Sequence, residues 1–145
     1  MEILTIGFTK RSARSFFGAL RAAQVTRLVD VRLNNVSQLA GFTKRDDLAY
    51  FLKEICDAEY VHELQLAPTQ QLLDDYRKNR IPWSEYEHGF LDLMAQRRIK
   101  DRIPRNLFEG RAVLLCGEPT AAHCHRRLVA EYLRDHWGEI EIVHL

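Results

Sequence analysis

A nearly continuous apolar segment, Ala112 to Cys116, most constrains the fold of this chain, because a tight turn and a helical pattern follow it at once. Such a run is typical of a central strand in a parallel sheet, which helices cover on both faces. Thr120 is predicted to cap the helix, which extends to about Trp137 and stops at Gly138. In open α/β sheets, ligands bind at the carboxyl ends of the strands, so a site is predicted at this junction.

Helical apolar patterns separate four further segments that are predicted to be strands. These segments are 3–6, 27–32, 59–62 and 140–145. The predicted N-caps of the intervening helices are Ser12, Thr43, Thr69 and Ser84. Two parallel strands joined by a helix form a right-handed crossover unit. The order therefore predicts one α/β domain over residues 1–145, a three-layer sandwich with a mostly parallel central sheet of about five strands.

The net charge and the apolar pattern limit the classes of function that this chain can have. The formal net charge is +1, which argues against a surface dominated by attraction to nucleic acid or membrane. No secretory signal is visible and no apolar segment could cross a bilayer, so a cytoplasmic location is expected. The chain has three cysteines, and an odd number in a cytosolic protein does not predict a disulfide framework. Core thiols, a reactive thiol and soft metal ligands remain as alternatives.

Polar residues and a cysteine are predicted to meet where the strands end. In a parallel sheet, Gly7, Asp30, Arg32 and Cys116 arrive at the same edge. The N-terminus of the following helix points to that edge, where its free N–H groups favour anions and the thiolate form of cysteine. Cys116 and Cys124 are both eligible as reactive thiols. The alternatives without chemistry are that Cys116 packs as a small apolar residue and that Arg32 only neutralises a nearby carboxylate.

The helical wheel of the last helix places His125 near the middle of its core face, with Cys124 and Arg126 on the flanks. A histidine against the sheet needs a partner for one ring nitrogen. Asp30 is the predicted partner, unless Arg126 pairs with Asp30 instead. A satisfied core histidine without chemistry is an equally weighted alternative.

Three well-known motifs are absent from the sequence. There is no P-loop, and the residues after Gly7 are not a dinucleotide-binding fingerprint. The sixth residue after Cys116 is Ala122 rather than arginine, which excludes the loop of cysteine phosphatases. The cysteines and histidines match no standard zinc module, so no metal site is predicted. The cofactor, if any, is unknown from the sequence.

Several short motifs together resemble the domain of unknown function 488 family, with a match over nearly the whole chain. The most specific is the C-x-E-x₅-C-H-R pattern from Cys116 to Arg126. The others are Thr5-Ile6-Gly7, Asp30-Val31-Arg32 and Tyr60-Val61-His62. The resemblance implies an α/β sandwich in the cytoplasm and no established activity.

The chain departs from that family pattern at two places. Phe8 and Thr9 stand where many members have histidine and serine, and the loop after Asp-Val-Arg lacks the usual arginines and prolines. Its amides, Asn34, Asn35 and Gln38, are predicted to contact a polar ligand instead of charged groups.

The sequence predicts an enzyme acting on a small anionic substrate, bearing phosphate or carboxylate, at the carboxyl edge of the sheet. The predicted catalytic residues are Cys124 as nucleophile, or Cys116 in its place, His125 for proton transfer, Asp30 as its orienting partner and Glu118 as acid or base. The predicted substrate-binding residues are Arg32, Arg126, Asn34 and Gly7.

Three other functions remain open at this point. The first is a module that binds a nucleotide or nucleic acid, using the same arginines with Lys10, Arg11 and Lys44. The second is a metal or redox protein held by the two cysteines and a histidine. The third is a non-catalytic adaptor. The oligomeric state is not predicted, and no membrane partner is expected.

Overall fold

A five-stranded parallel sheet forms the centre of the protein, as a computed structural model of residues 1–36, 41–117 and 122–145 describes it. The strands are β1 (Glu2–Gly7), β2 (Arg27–Asp30), β3 (Glu59–His62), β4 (Ala112–Cys116) and β5 (Glu141–His144). Their order across the sheet is β3-β2-β4-β1-β5, and every pairing is parallel. The predicted α/β fold is therefore confirmed.

Six α-helices are found in these three ranges. They are α1 (Ala13–Ala22), α2 (Arg45–Phe51), α3 (Gln70–Arg77), α4 (Trp83–Gln96), α5 (Ile99–Arg102) and α6 (His125–Trp137). A π-helical turn, Leu52–Cys56, continues α2. None of these helices is both long enough and apolar enough to cross a membrane.

The side chains of Ser12 and Thr69 cap α1 and α3 as predicted, each accepting a backbone N–H bond. The caps predicted at Thr43 and Ser84 are wrong. Helix α2 starts after Lys44 because Thr43 is buried, and its carbonyl accepts a bond from an arginine. Helix α4 starts after Pro82, whose restricted φ suits the entry into a helix.

Alternation along the strands sends successive side chains to two separate cores. One core contains Leu28, Val113 and Leu115 and is covered by α1 and α2. The other contains Val29, Leu114, Cys116 and others, and is covered mainly by α4 and α6. Helices thus cover both faces of the sheet, which gives the predicted three layers.

Strand β4 lies between β2 and β1, and the chain that follows β4 turns to the opposite face of the sheet from the chains that follow its two neighbours. After β1 and β2 the chain passes to the face of α1 and α2, whereas after β4 it passes to the face of α6. Adjacent strands that diverge in this way open a crevice at their carboxyl ends. Because β4 diverges from both neighbours, Cys116 at its end stands beside two such crevices.

Helix α6 begins later than the sequence predicted. Cys124 is its N-cap, with extended backbone (φ −138°, ψ 140°), and His125 is its first residue. Cys124 therefore lies at the helix N-terminus and not within its opening turns. Thr120, the predicted cap, falls outside the described ranges. The predicted end at Gly138 is confirmed, since this glycine has the positive φ (70°) that L side chains rarely adopt.

Candidate functional site

A cavity of about 960 Å³ opens at the carboxyl edge of the sheet. Its lining comes from the loops after β1 and β2, from helices α3 and α4, and from the end of β4 with the start of α6. The backbone N–H of Thr9 donates to the carbonyl of Gly117 at 3.0 Å, which ties the loop after β1 to the loop after β4. The lining contains residues 8–11, 32–34, 41–42, 68, 73, 76–77, 86, 116–117 and 123–125.

The lining is rich in positive charge. Lys10, Arg11 and Arg77 contribute cationic groups, Arg32 contributes a guanidinium that is paired with Asp30, and no aspartate or glutamate is among the described lining residues. Like charges arranged around a concave, partly apolar surface raise the local potential and attract anions. The cavity is therefore electrostatically suited to a negatively charged ligand.

Two cysteines and a histidine form a compact cluster in the wall of this cavity. Cys116, Cys124 and His125 are all buried, and their ligand-type atoms lie within 4.8 Å of one another. The two sulfurs are in direct contact, and Sγ of Cys116 lies 3.4 Å from Nδ1 of His125. The structure thus brings together three of the five residues that the sequence proposed as catalytic.

The orientation of the His125 ring is fixed by a backbone carbonyl. Nε2 lies 2.7 Å from the carbonyl oxygen of Val31, to which it donates its proton, so Nδ1 presents a lone pair to Cys116. Burial lowers the pKa of His125 to about 4, with the cationic Arg126 adding to the effect. The imidazole is therefore neutral near pH 7 and is a weak base, which disfavours the predicted proton-transfer role.

Asp30 does not orient His125, and that prediction is wrong. Along β2, Asp30 faces the same side as Leu28, toward α1 and α2, whereas His125 packs on the opposite side of the sheet. The Asp30 carboxylate instead accepts bonds from the backbone N–H, Nε and Nη2 of Arg32, at 2.8–3.1 Å, and from the hydroxyl of Tyr60 at 2.6 Å. This carboxylate is completely buried and has a structural role.

The Asp30–Arg32 pair belongs to a larger buried network that shapes the loop after β2. Nη2 of Arg32 also donates to the carbonyl of Thr43 at 2.7 Å. Nδ2 of Asn35 contacts both the Tyr60 hydroxyl and Nδ1 of His62, and Nε2 of His62 contacts the Arg32 carbonyl at 2.8 Å. Burial, and then the hydrogen bond to Asp30, raise the pKa of Tyr60. Tyr60 therefore remains a donor to Asp30 over the physiological pH range.

Of the predicted substrate-binding residues, some lie at the cavity and one does not. Arg32 lines the cavity, stacks over the ring of Phe8, and uses Nε and Nη2 on Asp30, while no hydrogen bond of Nη1 is found in the described part of the chain. Asn34 also lines the cavity. Gly7 ends β1 beside Cys116. Arg126 is buried in α6 and does not line the cavity.

Two of the predicted positions fall outside the described ranges. Glu118, the predicted acid or base, and Gln38, one of the predicted loop amides, both lie there. The third amide, Asn35, is buried in the network described above.

Helices α3 and α4 contribute residues that the sequence analysis did not place at the site. Tyr76 and Arg77 on α3 and Tyr86 on α4 line the cavity, and His123 stacks on Trp83 at its rim, with ring centroids 4.9 Å apart. The sequence signal for their presence at the site is the occurrence of three aromatic residues and two arginines together in residues 76–86.

Comparison with known proteins identifies one family, whose function is unknown. No curated protein and no solved structure matches the chain. The profile of one family, described as a domain of unknown function, DUF488, matches residues 12–133, which include the Asp30 network and the Cys116, Cys124 and His125 cluster. The chain therefore belongs to the DUF488 family.

Proposed function

We propose that this protein is an enzyme acting on a small phosphate- or carboxylate-bearing molecule that binds in the cavity beside Cys116, Cys124 and His125. The observation that carries the proposal is the juxtaposition of this cluster with a concave surface that bears several cations and, among its described residues, no acidic group. An anion bound there would be held within reach of the two thiols.

The positions of the cations support binding by charge and shape together. Lys10 and Arg11 follow β1, Arg32 follows β2, and Arg77 ends α3. Because these groups come from separate elements, they surround a ligand instead of forming a flat basic patch. Small-molecule sites are concave in this way, with a few charged groups that fix orientation.

Aromatic residues in the same lining favour a second candidate, a site for a nucleotide. Phe8, Phe42, Tyr76 and Tyr86 add apolar area to a cavity that already attracts phosphate. Aromatic faces stack on bases whatever their identity, and each stack is worth about 1–3 kcal/mol. This candidate keeps the anionic ligand and replaces catalysis by binding.

The thiols are the proposed reactive groups. Cys124 is the N-cap of α6, a helix of 13 residues, and a helix N-terminus favours the thiolate form. Cys116 lies against Cys124 and against Nδ1 of His125. Both sulfurs belong to residues that line the cavity, so a bound electrophilic group would meet either of them.

Anion binding tests the proposal directly. Inorganic phosphate, titrated into the reduced protein in a calorimeter, is expected to bind at one site, and more weakly as ionic strength rises. Arg77→Gln and Lys10→Gln are each expected to weaken this binding about tenfold, the effect of one lost charge-assisted hydrogen bond. Adenosine monophosphate binding more tightly than phosphate would favour the nucleotide candidate.

Arg80→Gln is the matched control, since Arg80 is an exposed arginine near Arg77 that pairs with Asp75 and does not line the cavity. Its phosphate affinity should equal that of the unmodified protein. Absence of phosphate binding, or equal losses in Arg77→Gln and Arg80→Gln, would contradict the proposal.

Alkylation kinetics test the reactivity of the thiols. In reduced protein freed of metal, iodoacetamide is expected to modify Cys116 and Cys124 faster than Cys56, because the N-terminus of α6 favours the thiolate in this cluster, whereas burial raises the pKa of the Cys56 thiol. Peptide mass spectrometry resolves the three rates, and phosphate should slow only the first two. If both cavity thiols react more slowly than Cys56, neither is an activated nucleophile.

A further inference from the structure

We infer that Cys116, Cys124 and His125, when reduced, form a binding site for one thiophilic divalent cation such as Zn²⁺. The inference deepens the proposed function by naming an ion that the reactive cluster would hold, and it rests on that function only for the identity of the ligand in the cavity. With the ion bound, the thiolates are its ligands and the ion faces the cavity.

The donor set has the composition of a zinc site. Two thiolates and one neutral imidazole are ligands that zinc prefers, and here their ligand atoms lie within 4.8 Å of one another. The three residues occupy the end of β4 and the N-terminus of α6, two elements of the packed core. Their positions are therefore held by the fold before any ion binds.

His125 is oriented as a metal ligand needs to be. Metal-binding histidines commonly donate their second ring N–H to a carbonyl or carboxylate, which fixes the tautomer and the ring plane. Nε2 of His125 makes this bond to the Val31 carbonyl at 2.7 Å, and Nδ1 points toward the sulfur of Cys116.

The backbone spacing of the two cysteines suits a shared ion. Their Cα atoms are 7.1 Å apart, beyond the range of about 4.4–6.8 Å that ordinary disulfides span. Two sulfurs on one tetrahedral zinc ion, with Zn–S of about 2.3 Å, stand farther apart than two bonded sulfurs and allow the wider backbone separation.

The proposed metal site leaves one coordination position open. The cluster supplies three ligands within the described residues, fewer than the four of a closed structural zinc site. All three residues line the cavity, so a fourth position would face the bound ligand. An ion there would add a positive charge at the point where the cationic lining already attracts an anion.

The sequence argument against zinc relied on the spacing of standard zinc modules. The structure shows His123 outside α6, exposed and stacked on Trp83, and therefore not part of the cluster. The ligands are instead one residue from β4 and two adjacent residues at the start of α6, a pattern that no linear zinc module contains.

Metal titration of the whole protein tests the inference. Reduced protein is stripped with a chelator, desalted and titrated with Zn²⁺ in competition with a chromophoric chelator, and separately with Co²⁺. One ion per chain is expected, and the cobalt form should show the thiolate charge-transfer and tetrahedral bands of two sulfur ligands. Cys124→Ser and Cys116→Ser are expected to weaken zinc binding by more than about a hundredfold, beyond the usual effect of removing a hydrogen-bond partner of a metal ligand.

Cys56→Ser is the matched control, because Cys56 lies at the end of the π-helical turn, outside the cluster and its cavity. It should bind one ion with unchanged affinity. Should the serine variants fail to fold, protection of Cys116 and Cys124, but not Cys56, from alkylation by added Zn²⁺ provides the same information in the unmodified chain.

Three results would overturn the inference: no binding of one Zn²⁺ by the reduced protein, a cobalt spectrum without thiolate bands, or unchanged affinity in a folded Cys124→Ser variant. Phosphate titration of the metal-free protein separates this failure from that of the proposed function. Phosphate binding without zinc binding would contradict the zinc site alone. Zinc binding without phosphate binding would contradict the proposed anionic ligand alone.

Discussion

Replacing Asp30 with alanine is expected to lower the free energy of unfolding by about 3–5 kcal/mol, because the change leaves a buried arginine without its counter-ion. The Asp30 carboxylate is fully buried and accepts four hydrogen bonds, three of them from Arg32. Arg32 itself is 6% exposed, so water cannot readily replace the lost partner. Urea denaturation, followed by far-ultraviolet circular dichroism, measures the loss.

Two variants calibrate this expectation. Tyr60→Phe removes the hydrogen bond to Asp30 and the one from Asn35 and leaves the ion pair intact, so a loss of about 1–2 kcal/mol is expected. Asp46→Ala breaks only an exposed pair with Arg45 and should change stability little. An Asp30→Ala protein as stable as the unmodified protein would contradict the structural role that these contacts indicate.

The Asp30 network has a consequence for the site although it does not touch the cluster. It fixes the loop after β2, which carries Arg32 into the cavity and presents the Val31 carbonyl to His125. Asp30 is thus a positioning residue. Its loss should disturb phosphate binding more than an equally destabilising change in the core of α1 and α2, such as Leu48→Ala.

Phe90→Ala is expected to cost about 3–5 kcal/mol of stability, the usual range for deleting a buried aromatic ring. Phe90 on α4 is completely buried in the core between α4, α6 and the sheet. Its ring also packs against the ring of His125, with centroids 5.4 Å apart, and near that of Tyr86. The cavity left behind would therefore open directly behind the proposed ligand set.

Phe90→Leu and Phe51→Ala are the comparisons for this prediction. Leucine keeps most of the buried volume, so Phe90→Leu should cost about 1 kcal/mol. Phe51, at the end of α2, is only partly buried, and its removal should cost less than that of Phe90. Equal losses for Phe51→Ala and Phe90→Ala in urea denaturation would contradict the described packing of α4 against α6.

Local sequence signals predicted several features that depend on one segment, although the capping signals at Thr43 and Ser84 failed. The apolar run 112–116 is a central strand, and Ser12 and Thr69 cap their helices with their side chains, because strand burial and capping depend on neighbouring residues. The convergence of residues 32, 116, 124 and 125 on one edge also follows from a parallel sheet, whose strands all end on the same side.

The fold class, and the edge of the sheet that holds the candidate site, could be predicted from local patterns in the sequence. Which side chains meet at that edge could not, because strand order and register are set by contacts between distant segments. The register that pairs Asp30 with Leu115 turns this carboxylate away from His125, and the packing of α3 and α4 brings Arg77 and two tyrosines to the cavity. A shift of one residue along a strand reverses the face of every side chain, and no local pattern records it.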